Sequence, residues 1–339
     1  MASAVQIRRI DPFIRDQVDA WWHAYADARR ADMGENALIW SLEERRAELQ
    51  QDSATTRRQA YVAVRDDAVV GSGSLALPLK DNLHIAMMGV NVPSQHRRRG
   101  VGSALLEHIE TEAAREGRST MRTDIFWPVS LPADGTGAAN REFARRHGYD
   151  VALGDVQNRL DLPVADSLLD ALIPEAPDDG YTLRSWVGPV PDAFVAEWAA
   201  LDALLDTEAP TGDLEVEAST SDVTDFRADE AMQAAQRRTS YGTIALAADG
   251  RVAAYTQIVV SGDDGNAYQW GTLVRREDRG HGLGLRIKLE NLRMLQHHSP
   301  DTPRIYTFNA ESNTHMLAVN TRLGFRVSAR MGELHKKLG

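Results

Sequence analysis

The chain has 339 residues, of which 43% are hydrophobic and 26% are charged, and its net charge at pH 7 is −11. This composition is typical of a globular protein, and the length suits two domains of ordinary size. The absence of cysteine excludes disulfides, thiolate metal sites and a cysteine nucleophile. The negative charge argues against nucleic acid as the main partner. We expect no metal cofactor.

The N-terminal sequence MASAVQIRRIDPFIRD has no apolar run of signal-peptide length. No later stretch approaches the roughly 20 apolar residues that span a bilayer. These features predict a cytoplasmic protein without membrane insertion, which we expect to be a monomer or a homodimer.

The predicted elements follow the same order in both halves of the chain. The first half begins with the strand VQIRRI and amphipathic helices at 15–30 and 42–51. A hairpin, the strand LHIAMMGVNV, a helix at 102–115, the strand STMRTDIFW and a helix at 140–146 complete it. The second half has the strand YTLRSWV, helices at 192–205 and 224–238, and a hairpin around Asp249 and Gly250. The strand AYQWGTLV, a helix at 283–297, the strand RIYTFNA and a helix at 314–322 follow.

A short motif also occurs once in each half. Arg-x-x-Gly-x-Gly precedes an amphipathic helix at Arg97 and again, about half the chain later, at Arg279. We therefore predict a duplicated α+β domain with a mixed sheet. The predicted boundaries are 1–165 and 181–339, joined by a linker at 166–180 that contains IPEAPDDG.

A strand that ends in this motif and leads into a helix can hold a diphosphate. The glycines remove side-chain obstruction, and the helix N-terminus provides N–H groups and a partial positive charge. The spacing excludes two better-known phosphate loops, since no Gly-x-Gly-x-x-Gly opens a parallel βαβ unit and no Gly-Lys-Ser/Thr is present.

The motif in this context resembles that of the GNAT superfamily of acetyl-CoA-dependent N-acetyltransferases. The resemblance covers both halves and implies two tandem domains, each a splayed mixed β-sheet flanked by helices, with acetyl-CoA as cosubstrate. In the second half it implies cofactor contacts from Leu273, Val274, Arg279, Gly280, His281, Gly282, Leu283, Gly284 and Asn313. In the first half the corresponding residues are Val90, Val92, Arg97, Arg98, Arg99, Gly100, Val101 and Gly102.

The second half matches the family pattern more closely. Asn313 lies eleven residues before Gly324, as the family asparagine does, whereas Asn140 lies only eight before Gly148. Pro93 is also one residue further from Arg97 than the family spacing. We therefore expect both halves to hold the cofactor and the second half to carry the chemistry.

The resemblance leaves the acid and the base open. The tyrosine that many family members use as proton donor is replaced by Asn320 in one half and Ala144 in the other. In the second half Tyr306 is a candidate acid and Glu311 a candidate base, with His281 as a further acid candidate. Tyr306 could equally pack in the sheet, His281 line the phosphate loop, and Glu311 cap the helix that begins near Thr314.

The predicted activity is transfer of an acetyl group to a primary amine of a small molecule, directly and without a covalent enzyme intermediate. An acidic segment at 202–230 suggests attraction of a cationic metabolite or antibiotic, although a solvated loop explains it equally. A longer acyl donor or a protein N-terminus as acceptor remain alternatives. A non-catalytic CoA-binding sensor or interaction module is the alternative from another class, because both halves lack the family tyrosine.

Overall fold

The computed structural model describes residues 4–172, 179–220 and 222–339, and the chain divides into two compact units. Unit 1 comprises Met1–Gly154, Gly212–Leu214 and Ala329–Gly339, and unit 2 comprises Asp155–Thr211 and Glu215–Ser328. Each unit combines a mixed sheet with helices, which confirms the predicted α+β class with two tandem domains.

The elements follow the predicted order, with two additional strands and one additional helix. Up to residue 146 they are β1 (Gln6–Arg9), α1 (Arg15–Met33), α2 (Leu42–Gln50), β2 (Thr56–Arg65), β3 (Ala68–Pro78), β4 (Ile85–Asn91), α3 (Val101–Arg115), β5 (Thr120–Trp127) and α4 (Ala139–Arg146). The middle of the chain forms β6 (Asp150–Asp161), α5 (Asp166–Leu172), β7 (Thr182–Val187), α6 (Val195–Glu208), α7 (Val223–Ala235), β8 (Thr239–Leu246) and β9 (Val252–Val260). The rest forms β10 (Ala267–Val274), α8 (Leu283–His298), β11 (Arg304–Ala310), α9 (Thr314–Arg322) and β12 (Arg326–Lys337). Within the described ranges no helix combines the length and the apolar character that a membrane span requires.

The sheets of the two units have the same topology. In unit 1 the strand order is β1-β2-β3-β4-β5-β12, and every neighbouring pair is antiparallel except β4 and β5. In unit 2 the order is β7-β8-β9-β10-β11-β6, with β10 and β11 as the parallel pair. One parallel pair in the middle of an otherwise antiparallel sheet is therefore common to both units.

The two halves of the sequence exchange their last strands. Asp155–Asp161 of β6 pairs with β11 in unit 2, and Arg330–Lys337 of β12 pairs with β5 in unit 1. The units thus differ from the predicted division at 165–181, because each sheet is completed by a strand from the other half. Neither β6 nor β12 was among the predicted strands.

The predicted linker at 166–180 is partly helical. Residues 166–172 form α5, and its Leu169 is fully buried in a core cluster of unit 2 with Leu160, Val164 and Leu295. Residues 173–178 of the predicted linker lie outside the described residues.

Both faces of the sheet in unit 1 are covered, and strand β2 shows why. Ala60, Val62 and Val64 face the core formed with Val18 and Trp21 of α1. The intervening Tyr61 and Ala63 face the core formed with α3 on the opposite side. Successive strand residues point to opposite faces, so a strand covered on both sides is almost continuously apolar. This arrangement places α1 on one side of β4 and β5 and the glycine loop on the other.

Candidate active site

The parallel strands of unit 1 separate towards their C-terminal ends. β4 and β5 pair only from Ile85↔Thr120 to Met87↔Arg122. β4 then continues to Asn91 and β5 to Trp127 without pairing to each other. A gap between the ends of parallel strands is a common ligand position in sheets flanked by helices.

The glycine loop of unit 1 lies beside this gap. Gly100 has φ of 80°, in the left-handed region, and is the N-cap of α3. A Cβ atom at Gly100 would meet no heavy atom within 4 Å, so the space next to it is open. Gly102 faces inward, and its Cβ would lie 3.2 Å from Cζ of Phe143. An open glycine at a helix N-terminus is the arrangement that a diphosphate requires.

Arg97 supports the loop through its side chain. Its Nε donates a hydrogen bond to the carbonyl of Val92 at 2.8 Å, and its Nη1 pairs with Asp32 at 2.6 Å. Because the guanidinium is engaged in these bonds, we assign Arg97 to positioning the loop between β4 and α3. The backbone of the loop is then left to contact the cofactor.

A groove of about 460 Å³ brings together the residues predicted for the cofactor in the first half. This volume is within the range of about 300–1,000 Å³ that is common for small-molecule sites. Of the predicted residues, the groove is lined by Val90, Val92, Arg97, Arg98, Gly100, Val101 and Gly102, and Arg99 is the one that does not line it. Asn140, Phe143 and His147 form the opposite wall. The groove and the open Gly100 fit the pantetheine and diphosphate of acetyl-CoA.

A second cavity of about 200 Å³ adjoins the groove and shares Asp32, Val90, Asn91 and Asn140 with it. Its wall is aromatic and charged, formed by Trp21, Tyr25, Arg29, Trp40, Arg45, Asp124 and Phe126. The position of this cavity, next to the strand ends and beyond the groove, is suited to an acceptor molecule.

Among the residues that line this cavity, Asp124 is the one with a titratable side chain that the sheet contributes. It lies on β5 beyond the paired part of the strand, is exposed to the cavity, and is opposite Glu333 of β12. Protein surrounds it on the other sides, and this burial, together with repulsion from Glu333, raises the pKa of Asp124 to about 6. Arg29 and Arg122 oppose the increase. A carboxylate with a pKa near neutrality is suited to accept a proton from an amine.

Sequence reasoning missed Asp124 because it searched for acid and base groups in the second half. A local signal was available, since Asp124 is the single acidic residue in the strand TMRTDIFW. Glu333 had no such signal, because it reaches Asp124 only through the exchanged strand β12.

The glycine loop of unit 2 has the same geometry. Gly282 has φ of 67°, caps α8, and would also have no heavy atom near an added Cβ. Arg279 donates from Nε to the carbonyl of Val274 at 3.2 Å and pairs with Glu208 at 2.9 Å. The glycine loop of the second half therefore has the geometry predicted for it, and its arginine makes the same kinds of bond as in unit 1.

The other residues predicted in the second half are dispersed. Tyr306 is only 3% exposed and stacks on Tyr268 with ring centroids 6.1 Å apart, so it packs in the sheet. Glu311 is exposed in the turn after β11. Asn313 caps α9 by accepting from the N–H of Met316 at 3.2 Å. His281 is exposed in the loop, with its ring 5.2 Å from that of Tyr181.

The strand registers show which residues of the two units correspond. The first paired residues of the parallel strands are Ile85↔Thr120 in unit 1 and Ala267↔Ile305 in unit 2. Ile85 and Ala267 correspond to each other, because each lies seven residues before the residue whose carbonyl accepts from the loop arginine. Four residues further along the second strand, Asp124 corresponds to Asn309. On the neighbouring antiparallel strand, Asn309 is paired with Val156, whereas Asp124 in unit 1 is paired with Glu333. The carboxylates next to the strand gap are therefore a feature of unit 1.

In unit 2 this position belongs to a buried hydrogen-bonded chain. Nζ of Lys288 donates to Oδ1 of Asn320 at 2.7 Å, and Nδ2 of Asn320 donates to Oδ1 of Asn309 at 2.7 Å. Burial lowers the pKa of Lys288 to about 7. The chain satisfies polar groups inside unit 2 and provides no carboxylate.

Three carboxylates of the acidic segment at 202–230 are engaged in bonds within unit 2. Glu208 pairs with Arg276 at 2.7 Å and with Arg279 at 2.9 Å. Asp202 accepts from the hydroxyl of Tyr255 at 2.6 Å, and Glu230 accepts from the N–H of Val190 at 2.7 Å. These contacts favour a structural role over attraction of a cationic acceptor.

Comparison with known proteins agrees with the geometry. Residues 19–133 match the model of the acetyltransferase (GNAT) family, whose members use acetyl-CoA as acetyl donor. The chain is 28% identical over 309 residues to a mycothiol acetyltransferase of Clavibacter sepedonicus, an alignment that covers 90% of this chain and 88% of the relative. It is 27% identical to a tandem GNAT protein from the clavulanic acid biosynthesis pathway, with a TM-score of 0.82 and 99% of each chain covered. A GCN5-related N-acetyltransferase from Sphaerobacter thermophilus shares the fold, with a TM-score of 0.64 at 16% identity over 98% of this chain and 95% of the other. The chain is thus an acyltransferase with a GNAT-family domain in its first half and the architecture of a tandem GNAT protein.

Proposed function

We propose that unit 1 transfers an acetyl group from acetyl-CoA to the primary amine of a small molecule, with Asp124 as general base. The observation that carries the proposal is the position of Asp124 in a cavity that adjoins the predicted cofactor groove. This proposal reverses the expectation from the sequence that the second half carries the chemistry. Its basis is the difference between Asp124 in unit 1 and Asn309 in unit 2.

In the proposed reaction each residue has a simple task. The backbone of Gly100, Val101 and Gly102 binds the diphosphate, and Val90 and Val92 lie along the pantetheine arm. Acetyl-CoA, when bound, supplies the reactive thioester. Asp124 accepts a proton from the acceptor ammonium, so that the neutral amine can attack the carbonyl carbon. A carbon–nitrogen bond forms and the carbon–sulfur bond breaks. The acylated nitrogen releases its extra proton to solvent, and the thiolate takes a proton from solvent.

Direct transfer requires no nucleophile on the protein. The sequence has no cysteine, and the side chain that the cavity presents next to the strand gap is a carboxylate suited to proton transfer. We infer for unit 2 a non-catalytic role, because amides and a buried lysine occupy the position of the base.

The test is release of free CoA thiol from acetyl-CoA in the presence of a panel of primary amines, with the product identified by mass spectrometry. We expect turnover with at least one small amine, and its loss when Asp124 is replaced by asparagine. Tight binding of acetyl-CoA without turnover of any amine would instead favour the sensor or interaction module.

A further inference from the structure

The acceptor cavity of unit 1 is lined by a positively charged side chain, Arg29, to which the proposed reaction assigns no role. Arg29 of α1 lines the cavity, and its guanidinium lies over the rings of Phe126 at 5.0 Å and Tyr25 at 5.9 Å. Its Nε is buried without a hydrogen-bond partner. In the described part of the chain no hydrogen bond or ion pair joins Arg29 to another residue. The N–H groups of its planar guanidinium are therefore available to donate hydrogen bonds to a ligand.

The neighbouring charges of the cavity are paired within the protein. Arg45 pairs with Glu48, and Asp32 pairs with Arg97 at 2.6 Å. The groups left to meet a ligand are thus the carboxylate of Asp124 and the guanidinium of Arg29, which line one small cavity.

We propose that the acceptor of unit 1 is a small amino acid-like molecule whose amine meets Asp124 and whose carboxylate is bound by Arg29. This inference rests on the proposed function. A guanidinium binds a carboxylate through two parallel hydrogen bonds, and such pairs are about twice as strong as neutral ones.

A polyamine would instead meet two arginines, Arg29 and Arg45, in a cavity of about 200 Å³. That volume is below the range of about 300–1,000 Å³ of drug-sized sites, so the acceptor has few atoms.

The test compares matched pairs of acceptors. L-amino acids with small or medium side chains are assayed against the amines that lack only the carboxylate, for example L-leucine against 3-methylbutylamine. We expect kcat/KM to favour at least one amino acid over its counterpart by at least about 10-fold. Arg29→Met should remove this preference by raising the KM for the amino acid. The loss of the guanidinium also raises the pKa of Asp124, whichever acceptor is bound, so the readout is the ratio of the two kcat/KM values. Arg29→Lys should restore only part of the preference, since it keeps the charge but lacks the planar fork.

Arg30→Met is the matched control, because Arg30 is the exposed neighbour on α1 that pairs with Asp27. Thermal melting checks that each variant is folded. An equal or higher kcat/KM for the amines without a carboxylate would overturn the inference and leave the proposed function intact. A preference that persists in folded Arg29→Met would overturn it as well.

Binding is measured separately from turnover. Trp21 and Trp40 line the cavity, so quenching of tryptophan fluorescence can report N-acetyl amino acids and their carboxamides in the presence of CoA. Tighter binding of the carboxylates, lost in Arg29→Met, supports the contact even if no amine is acetylated, and that outcome would refute the proposed function alone. No difference between carboxylates and carboxamides would overturn the inference.

Discussion

Replacing Asp124 by asparagine tests the assignment of the general base most directly. Asparagine has nearly the same shape but cannot accept the proton of an ammonium group. General base catalysis contributes about 10²–10⁴-fold, so kcat/KM for the amine should fall by at least about 100-fold. The KM for acetyl-CoA should stay within about threefold, because Asp124 lines the acceptor cavity and not the cofactor groove.

The pH profile gives a second measurement on the same residue. The base acts as a carboxylate, and burial and Glu333 raise the pKa of Asp124 to about 6 against the opposing effects of Arg29 and Arg122. The kcat/KM of the unmodified protein should therefore rise with pH up to about 6 and then level off. Asp124→Asn should lose this dependence. Glu333→Gln removes the repulsion and should shift the acidic limb to lower pH.

Stability should change in the opposite direction from activity. The folded-state pKa of Asp124 is above its ordinary value of 3.8, so the carboxylate destabilises the fold increasingly between about pH 4 and pH 6, and fully above that. Asp124→Asn should thus raise Tm at neutral pH more than at about pH 4. Glu107→Gln, an exposed change on α3, is the control and should alter neither quantity. An Asp124→Asn protein that keeps kcat/KM within about threefold, with the acidic limb unchanged, would refute the assignment.

Four further changes test the two units separately. Gly100→Trp should block the cofactor groove and abolish acetyl transfer, whereas Gly282→Trp should remove acetyl-CoA binding in unit 2 and keep most of the activity. Steady-state rates measure the activity of each variant, and calorimetry measures how many acetyl-CoA molecules it binds. The reverse pattern would return the chemistry to unit 2. Lys288→Met should shift Tm more favourably at about pH 6.5 than at about pH 10, because a folded-state pKa of about 7, below the ordinary 10.5, destabilises the fold most at and below pH 7. The change also removes the hydrogen bond to Asn320 at both pH values, so the difference between the two shifts is the readout, and equal shifts would contradict this reasoning. Leu334→Ala on the exchanged strand should destabilise unit 1 by about 2–5 kcal/mol in urea unfolding, since Leu334 is fully buried in its core. Val327→Ala, at an exposed position of the same strand, is the control, and an equally small effect of both changes would argue against the exchange.

The sequence alone determined the local features of this protein. The glycines of the two loops could be placed at helix N-termini, because Gly100 and Gly282 need a left-handed backbone that other residues rarely adopt. The alternating and helical patterns located most helices and strands, and the repeated motif indicated two similar domains. Each of these features depends on residues that are close together in the chain.

Only the tertiary structure decided which strands complete each sheet and which side chains meet in the site. The pairing of a strand depends on partners far along the chain, so the exchange of β6 and β12 leaves no local pattern. The same holds for Asp124, whose pKa is raised by burial and by Glu333, a residue from the far end of the sequence. Tyr306 shows the converse, since its chemistry suggested an acid but its position in the sheet is buried against Tyr268. A side chain's chemistry follows from its residue type, but its burial and its neighbours follow from the packing of distant segments.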